Sequence, residues 1–479
     1  MTAADPRYPL DLVGVGIGPA NLALAALADD HPDLRAAWYE QRPEFRWHPG
    51  LLIDGTTLQV PFLADLVTLA DPTNPWSFLN YLRHQGRLYP FYFSERFHCP
   101  RVEYDDYCRW VSEQLPSLHF QHRVDSVRWN AEHAVFDVDL TPLAPGAGPA
   151  SPGTARVYAR NLAVGIGTAP HVPEPLRPLI DARATAPVIH SADYLEHRER
   201  LLEAGHITVI GGGQSGAEVF LDLLRRRPAG AERLHWISRS PAFAPMEYSK
   251  LGLEHFTPDY ARYFRELAEP VRDRLLREQW QLYRAIDHET LGEIHDELYR
   301  RTVTDGWPDA VLSPGVAVRT AGRVGAHQLE LHLDHQPEGG RSRLLTNAVV
   351  LATGYRERPL TSVLAGLDAD LGRDAAGRPQ VDEDYRLALG PEITGSVFVL
   401  NAERHTHGVG APDLGLIAHR AATIVNALTD QPRYRLPERS AFTTFGVPAQ
   451  PQAPVGAEHE RRDPRELPGT LPPPRSIPV

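Results

Sequence analysis

The chain has 479 residues, 42% of them hydrophobic and 23% charged, and a formal net charge of −12. That length supports two or three cores, and the acidic balance, with a pI near 6.0, argues against a nucleic-acid surface. There is no run of 18 apolar residues and no secretory h-region, and the only cysteines, Cys99 and Cys108, lie outside any Cys-x-x-Cys, so we expect a cytoplasmic protein with no membrane span, disulfide or dithiol redox centre.

Asp11–Gly16 reads as a buried strand leading into the turn Gly16-Ile-Gly18-Pro19 and a helix from Pro19 to Asp29. That order lets backbone approach a pyrophosphate closely and points a helix N-terminus at its charge. Arg35–Glu40 reads as the second strand, and Glu40, 24 residues after Gly16, has the spacing of an acid that accepts from ribose hydroxyls. A helix over 102–115 precedes two short strands, His119–His122 and Ala134–Asp139, and a Gly/Pro/Ala-rich loop over Pro142–Thr154. Asn161–Pro170 is a strand and small-residue turn that hands the chain to a second domain.

Ile207–Glu218 repeats the first pattern with Gly211, Gly213 and Gly216, and Gln214 and Ser215 open its helix. The following strand ends in Ser238-Arg239-Ser240, not in an acid. Arg239 with the two hydroxyls favours a 2′-phosphate, hence NADPH over NADH. Residues 258–302 read as an inserted helical region, Asn347–Tyr355 as a strand and turn, Val397–Asn401 as the last sheet strand and Pro412–Leu428 as the last helix. From Pro448 the composition turns Pro-, Arg- and Glu-rich, which predicts a disordered tail. His405 and His407 have no accompanying ligand cluster, so no metal is expected.

Two dinucleotide turns about 190 residues apart imply hydride transfer between a nicotinamide and a flavin. The expected fold class is α/β, with two Rossmann-like dinucleotide-binding domains, for FAD and NADPH, and a small, mainly helical substrate region. Residues 1–195 and 356–447 are assigned to the FAD domain, 196–355 to the NADPH domain with the insertion at about 250–310, and 448–479 to the tail.

Other segments are more specific: Phe45-Arg-Trp-His-Pro-Gly50, Leu58-Gln-Val-Pro-Phe-Leu-Ala-Asp-Leu-Val-Thr68, Asp71-Pro-Thr-Asn-Pro-Trp-Ser-Phe-Leu-Asn-Tyr81, Ala352-Thr-Gly-Tyr355, His405-Thr-His-Gly408 and Pro412-Asp-Leu-Gly415. Through them the chain resembles, from about residue 8 to 430, the flavin-dependent N-hydroxylating monooxygenases of siderophore biosynthesis, which act on ornithine, lysine or diamines. The third glycine of the first turn is Asn21, which the family tolerates and which predicts a slightly wider helix–strand contact. Gly14 is read as part of the strand.

The resemblance implies FAD, NADPH, molecular oxygen and a small aliphatic amine, with N-hydroxylation through a C4a-hydroperoxyflavin. It also implies a homo-oligomer, dimer or tetramer. It places Gln59 against the flavin ring with Leu58 beside it, Asn80 towards the nicotinamide, and Trp47, His48 and Pro49 as a wall over the isoalloxazine. Gln59, Asn80 and His48 are the side chains assigned nearest the chemistry. Thr353, Gly354 and Tyr355, and the turn of Gly408, Pro412, Asp413 and Leu414, are assigned to cofactor contact.

The substrate follows from a departure. Ornithine enzymes of the family carry a lysine for the α-carboxylate where this chain has Ala64. An alanine cannot pair a carboxylate, and a buried unpaired one costs several kcal/mol. A diamine, cadaverine or putrescine, is therefore expected, with Glu247, Asp287 and Glu293 as candidates for its distal ammonium. The alternative is L-lysine N6- or L-ornithine N5-hydroxylation, with Lys250 or Arg284 taking over the carboxylate. Oxygenation of ketones or sulfur would call for a Phe-x-Gly-x-x-x-His-x-x-x-Trp fingerprint, which is not found.

Overall fold

The structure is a computed structural model and describes residues 5–143, 155–180 and 185–447. The tail expected at 448–479 and most of the loop at 142–154 lie outside the described residues. In chain order the strands and α-helices are β1 (Leu10–Val15), α1 (Pro19–Ala28), β2 (Ala36–Tyr39), α2 (Phe78–His84), α3 (Leu88–Ser94), α4 (Arg101–Gln114), β3 (Leu118–His119), β4 (His122–Asn130), β5 (Val135–Pro142), β6 (Ala155–Val164), β7 (Thr168–Pro170), β8 (Val188–His190), α5 (Tyr194–Leu202), β9 (Ile207–Ile210), α6 (Gln214–Arg226), β10 (Leu234–Ile237), α7 (Pro258–Glu266), α8 (Glu269–Glu278), α9 (His288–Asp305), β11 (Ala310–Ser313), β12 (Val316–Arg323), β13 (Leu329–His335), β14 (Arg341–Thr346), β15 (Ala348–Leu351), β16 (Tyr355–Glu357), α10 (Thr361–Leu364), β17 (Val397–Val399), α11 (Arg404–His407) and α12 (Ile417–Leu428).

Two sheets organise the chain. In the first, the order is β3-β2-β1-β6-β5-β4, and β17 also pairs with β6. Its β3, β2, β1, β6 and β17 are parallel, and β4 and β5 add an antiparallel meander. The second sheet, β11-β10-β9-β15-β8, is wholly parallel. The α/β reading with two Rossmann-like units is what the chain adopts. Sheet membership adds a detail: Val188–His190 lies in the second sheet, inside the stretch assigned to the first domain. The two passages between the sheets pair with each other, β7 against β16 with Pro170 opposite Tyr355.

Three local features explain the packing. Gly14 sits in β1, where a Cβ would fall 1.8 Å from the Trp38 indole, so the glycine makes room for a buried tryptophan of β2. Helix α1 is buried along Asn21–Ala28 and packs on α4 and α12 in one apolar core. The helical insertion is α7, α8 and α9, with α9 against α6 and α7 against α11.

Several strand regions were not anticipated, β8 and β11 among them. Strand β4 continues past His122 to Asn130, but only Val124 and Val127 are buried along it and its register shifts between Val124 and Ser126. That interruption erases the period-two pattern. A three-stranded antiparallel sheet, β12-β13-β14, precedes β15. Among the described residues no helix is long and apolar enough to cross a membrane.

Candidate active site

The first glycine turn is built for close backbone approach. Gly16 has φ +84°, and a Cβ there would lie 2.6 Å from the Gly165 carbonyl oxygen. Gly18 is extended and begins α1, and a Cβ on it would meet nothing within 4 Å. Pro19 follows at a position whose N–H has no helical partner in any case. Glu40 is buried at the end of β2 and ties strand to turn, accepting from the Ile17 N–H at 3.0 Å and the Arg42 N–H at 2.9 Å.

Asn21 does more than replace a glycine. Its fully buried carboxamide donates to the carbonyls of Val15, Gly16 and Ala163, clasping α1 to β1 and β6. A Cβ at Gly165 would fall 2.8 Å from that amide nitrogen, so Gly165 provides the room for Asn21. A left-handed glycine, an open helix start and an acid at the neighbouring strand end suit a dinucleotide.

The second turn is tighter. Gly211 has φ +135°, with a hypothetical Cβ 2.0 Å from the Ala352 carbonyl, and a Cβ on Gly216 would lie 2.2 Å from the Gly211 carbonyl. Gly213 is extended and leads into Gln214 and a half-buried Ser215. The Ser240 N–H donates to the buried Ser238 hydroxyl at 3.2 Å, and Arg239 is exposed beside them. Burial in its setting lowers the pKa of His171, as do the charges of Arg356, Arg177 and Arg239, so these three arginines share one neighbourhood. Arg177 and Arg356 carry no motif and were not singled out from the sequence.

Between the turns lies an aromatic wall. The Trp47 N–H donates to Asp105 at 2.6 Å and its ring stands edge-on to Tyr104. His48 is left-handed, with φ +48°, and its ring meets Trp47 at 5.2 Å and Tyr355 at 5.6 Å. It faces solvent within a cleft, yet the surrounding protein and the charges of Arg101 and Arg42 push its pKa down to about 4. The imidazole is therefore neutral near pH 7.

Tyr355 meets His190 on its other side at 5.3 Å, and burial pushes its phenol up to about 12. His190 accepts from the Ala192 N–H and donates from Nε2 to the Gly354 carbonyl at 3.0 Å, which fixes its tautomer. The Thr353 hydroxyl donates to the His171 carbonyl at 2.5 Å. Leu58 is buried, its N–H on the Cys99 carbonyl.

The closing turn stands on a buried pair. Arg420 on α12 meets Glu403 at 3.1 Å and also donates to the Ala411 carbonyl. Asp413 caps the helical turn at Leu414 through the Gly415 N–H at 2.7 Å, and burial raises its pKa to about 6. Leu414 packs against the first core. His405 pairs with the Pro379 carbonyl, and His407 stacks on Tyr385 at 4.5 Å. Both histidines thus have structural partners.

A chain of polar contacts connects residues that the sequence singled out separately. The Gln59 side-chain oxygen accepts from Arg101 at 3.1 Å, Arg101 donates to Glu218 at 2.7 Å, and Gln214 donates to Glu218 at 2.8 Å. Gln214 also donates to Thr290 at 3.0 Å and accepts from the Asp287 N–H at 2.7 Å. The Gln214 side chain is thereby committed to protein contacts. Gln59, Gln214, Glu218, Asp287 and Thr290 line a cavity of about 720 Å³.

Glu293 lines the same cavity, and the remaining candidates are committed to protein contacts. The Asp287 carboxylate caps α9 through the Thr290 N–H, and Glu293 pairs with Arg225 at the surface. Glu247 is exposed and holds the Ser249 N–H, and Asn80 spends its amide on the Pro75 carbonyl at the start of α2. Neither Glu247, Asn80 nor the buried Ala64 lines that cavity. Asp65, next to Ala64, is buried and accepts from the N–H groups of Val67, Thr68 and Phe78 and from the Thr68 hydroxyl.

Comparison with known proteins gives this geometry a family. The model of L-lysine 6-monooxygenase/L-ornithine 5-monooxygenase matches residues 8–357. The chain is 43% identical over 451 residues to the rhizobactin siderophore biosynthesis protein RhbE of Rhizobium meliloti, covering 93% of this chain and 96% of that protein. It is 40% identical over 460 residues to a putrescine N-hydroxylase of Shewanella oneidensis, covering 96% and 87%. The FAD-bound cadaverine monooxygenase DfoA of the desferrioxamine pathway of Erwinia amylovora has a TM-score of 0.85 at 35% identity, covering 92% of this chain and 99% of that one. The chain belongs to the L-lysine 6-monooxygenase/L-ornithine 5-monooxygenase family and is an oxidoreductase.

Proposed function

We propose that this enzyme N-hydroxylates one primary amine of putrescine or cadaverine for a hydroxamate siderophore. The balanced reaction converts the diamine, oxygen, NADPH and a proton to the N-hydroxy diamine, NADP and water. The observation that carries the diamine reading is the turn at Ala64: it is buried, it offers no cation of its own, and the adjacent buried side chain is the Asp65 carboxylate. A substrate carboxylate there would be repelled and unpaired.

When bound, FAD supplies the activation of oxygen and NADPH the two electrons. Gly16, Gly18 and Glu40 suit the FAD phosphates and ribose; Gly211, Gly213 and Arg239 suit NADPH. The protein's own task is to keep the amine neutral and the site dry. An alkyl ammonium ordinarily has a pKa of about 10.4, and burial lowers it. Trp47 and Tyr355 flank His48, whose neutral imidazole does not protonate the amine.

The reading includes a cytoplasmic location and self-association. Buried free Cys99 and Cys108 accord with a reducing compartment. Exposed Tyr89, Tyr92 and Phe93 on α3 support an oligomer; sedimentation giving a monomer at micromolar concentration would remove that part. For the activity, the purified protein with FAD and NADPH is given putrescine, cadaverine, L-lysine or L-ornithine, and hydroxylamine product is quantified. Product from the diamines is expected. Product mainly from L-lysine would place the carboxylate on another cation and overturn the argument from Ala64.

A further inference from the structure

The chain of contacts from Gln59 to Asp287 joins the segment after Thr57 to α4, α6 and α9. Gln59 follows β-bridged Thr57, Arg101 begins α4, Glu218 and Gln214 share one face of α6, and Thr290 and Asp287 open α9. Arg101 and Glu218 are 117 residues apart and their side chains are about 10% and 4% exposed, so this is a buried ion pair between elements on the two sheets' sides. Every bond along it has a set direction. A guanidinium only donates, so the carboxamide oxygen of Gln59 faces Arg101. The Gln59 amide nitrogen donates one N–H to the Thr57 carbonyl at 3.0 Å, and Arg101 Nε donates to that same carbonyl at 3.1 Å. The second amide N–H of Gln59 has no partner among the described residues.

We propose that Arg101 and Glu218 are positioning residues: Glu218 on the NADPH-side helix holds the Arg101 guanidinium, which locks the Gln59 carboxamide with its oxygen inward and its second N–H presented to the cleft. Without Arg101 the carboxamide keeps only its bond to the Thr57 carbonyl, and the direction of its oxygen and second N–H is no longer fixed. Because Glu218 is itself held by Gln214, and Gln214 by the start of α9, the orientation of a residue on the flavin side depends on the second nucleotide helix and the helical insertion being seated. This rests on the reading of Gln59 as a flavin-side residue.

The test uses the FAD-loaded enzyme and three variants, Glu218→Gln, Arg101→Lys and both together. Hydrogen exchange is followed without NADPH or amine, and hydroxylamine formed per NADPH oxidised is measured in separate assays. In each single variant, amides at 55–60 should exchange about threefold faster or more, and product per NADPH should fall about as much, with hydrogen peroxide making up the difference. The double variant should be no worse than the worse single, because both act through one chain. Glu383→Ala, which breaks the exposed pair with Arg265, should change neither quantity.

Unchanged exchange at 55–60 in Glu218→Gln, or losses that multiply in the double variant, would overturn the proposal. If wild type makes no hydroxylamine, the functional reading fails, and the exchange data still decide this one. If Arg101→Lys does not fold, Glu218→Gln alone decides it.

Discussion

The two glycine turns share a pattern but differ in what surrounds them. At the first, the helix start is open, a Cβ on Gly18 would touch nothing within 4 Å, and the nearby side chains Asn21 and Glu40 bond inward to their own strands. At the second, Gly211 and Gly216 are pressed against Ala352 and each other, and Gln214 is bound into contacts with the insertion. The first site is thus finished within its own domain. The second is tied to the rest of the enzyme, as suits a cofactor whose arrival must be registered elsewhere.

The largest expected effect is Gly211→Ala. A Cβ 2.0 Å from backbone at φ +135° cannot be relieved by side-chain motion, so we expect a loss of about 3 kcal/mol or more. It would show as a lowered Tm together with lost NADPH oxidation. A Tm within a degree of wild type would erase the contrast between the turns.

Protonation should weaken the closing turn of the first region next. His407 is buried, with a pKa pushed down to about 3 by desolvation and by Arg420. Its folded pKa lies below the ordinary value, so its contribution is complete above about 6.5 and declines as pH falls towards 3. Between pH 7 and pH 5 this one group accounts for about 2 kcal/mol. Urea unfolding at both pH values should show a smaller difference in His407→Phe; an unchanged difference would assign the acid sensitivity to other groups.

Gly18→Ala is the counterpart of Gly211→Ala. Its φ of −93° suits any residue, so the FAD-free protein should keep its Tm while FAD affinity falls about tenfold, because the methyl stands where phosphate must approach. Unchanged FAD affinity would detach the first turn from FAD. The smallest effect is expected at exposed Arg239: Arg239→Ala should raise the KM for NADPH about fivefold and leave that for NADH unchanged. Equal changes for both would move 2′-phosphate recognition to Arg177 or Arg356.

Much of this was legible in the sequence, for a physical reason. Glycine turns, the acid at Glu40 and the apolar periods of β1, β9 and α1 are local, and local rules read them. What escaped was long-range or masked. Arg101 looks like an ordinary helix-start cation and Glu218 like a solvated helix acid until folding brings them within 2.7 Å. Strand β4 hides behind a bulge, and Asn21 reads as a gap where it is a clasp. Asn80 drew attention through its motif and Glu247 as a candidate for the distal ammonium, and each is bonded to a nearby backbone group.

Diamine specificity is tested most sharply by competition. Equal concentrations of cadaverine and L-lysine are supplied together to the FAD-loaded enzyme with NADPH, and the two hydroxylamines are quantified by mass spectrometry, with a putrescine and L-ornithine pair run alongside. The N-hydroxy diamine should predominate in both mixtures. N6-hydroxylysine or N5-hydroxyornithine as the main product would contradict diamine specificity.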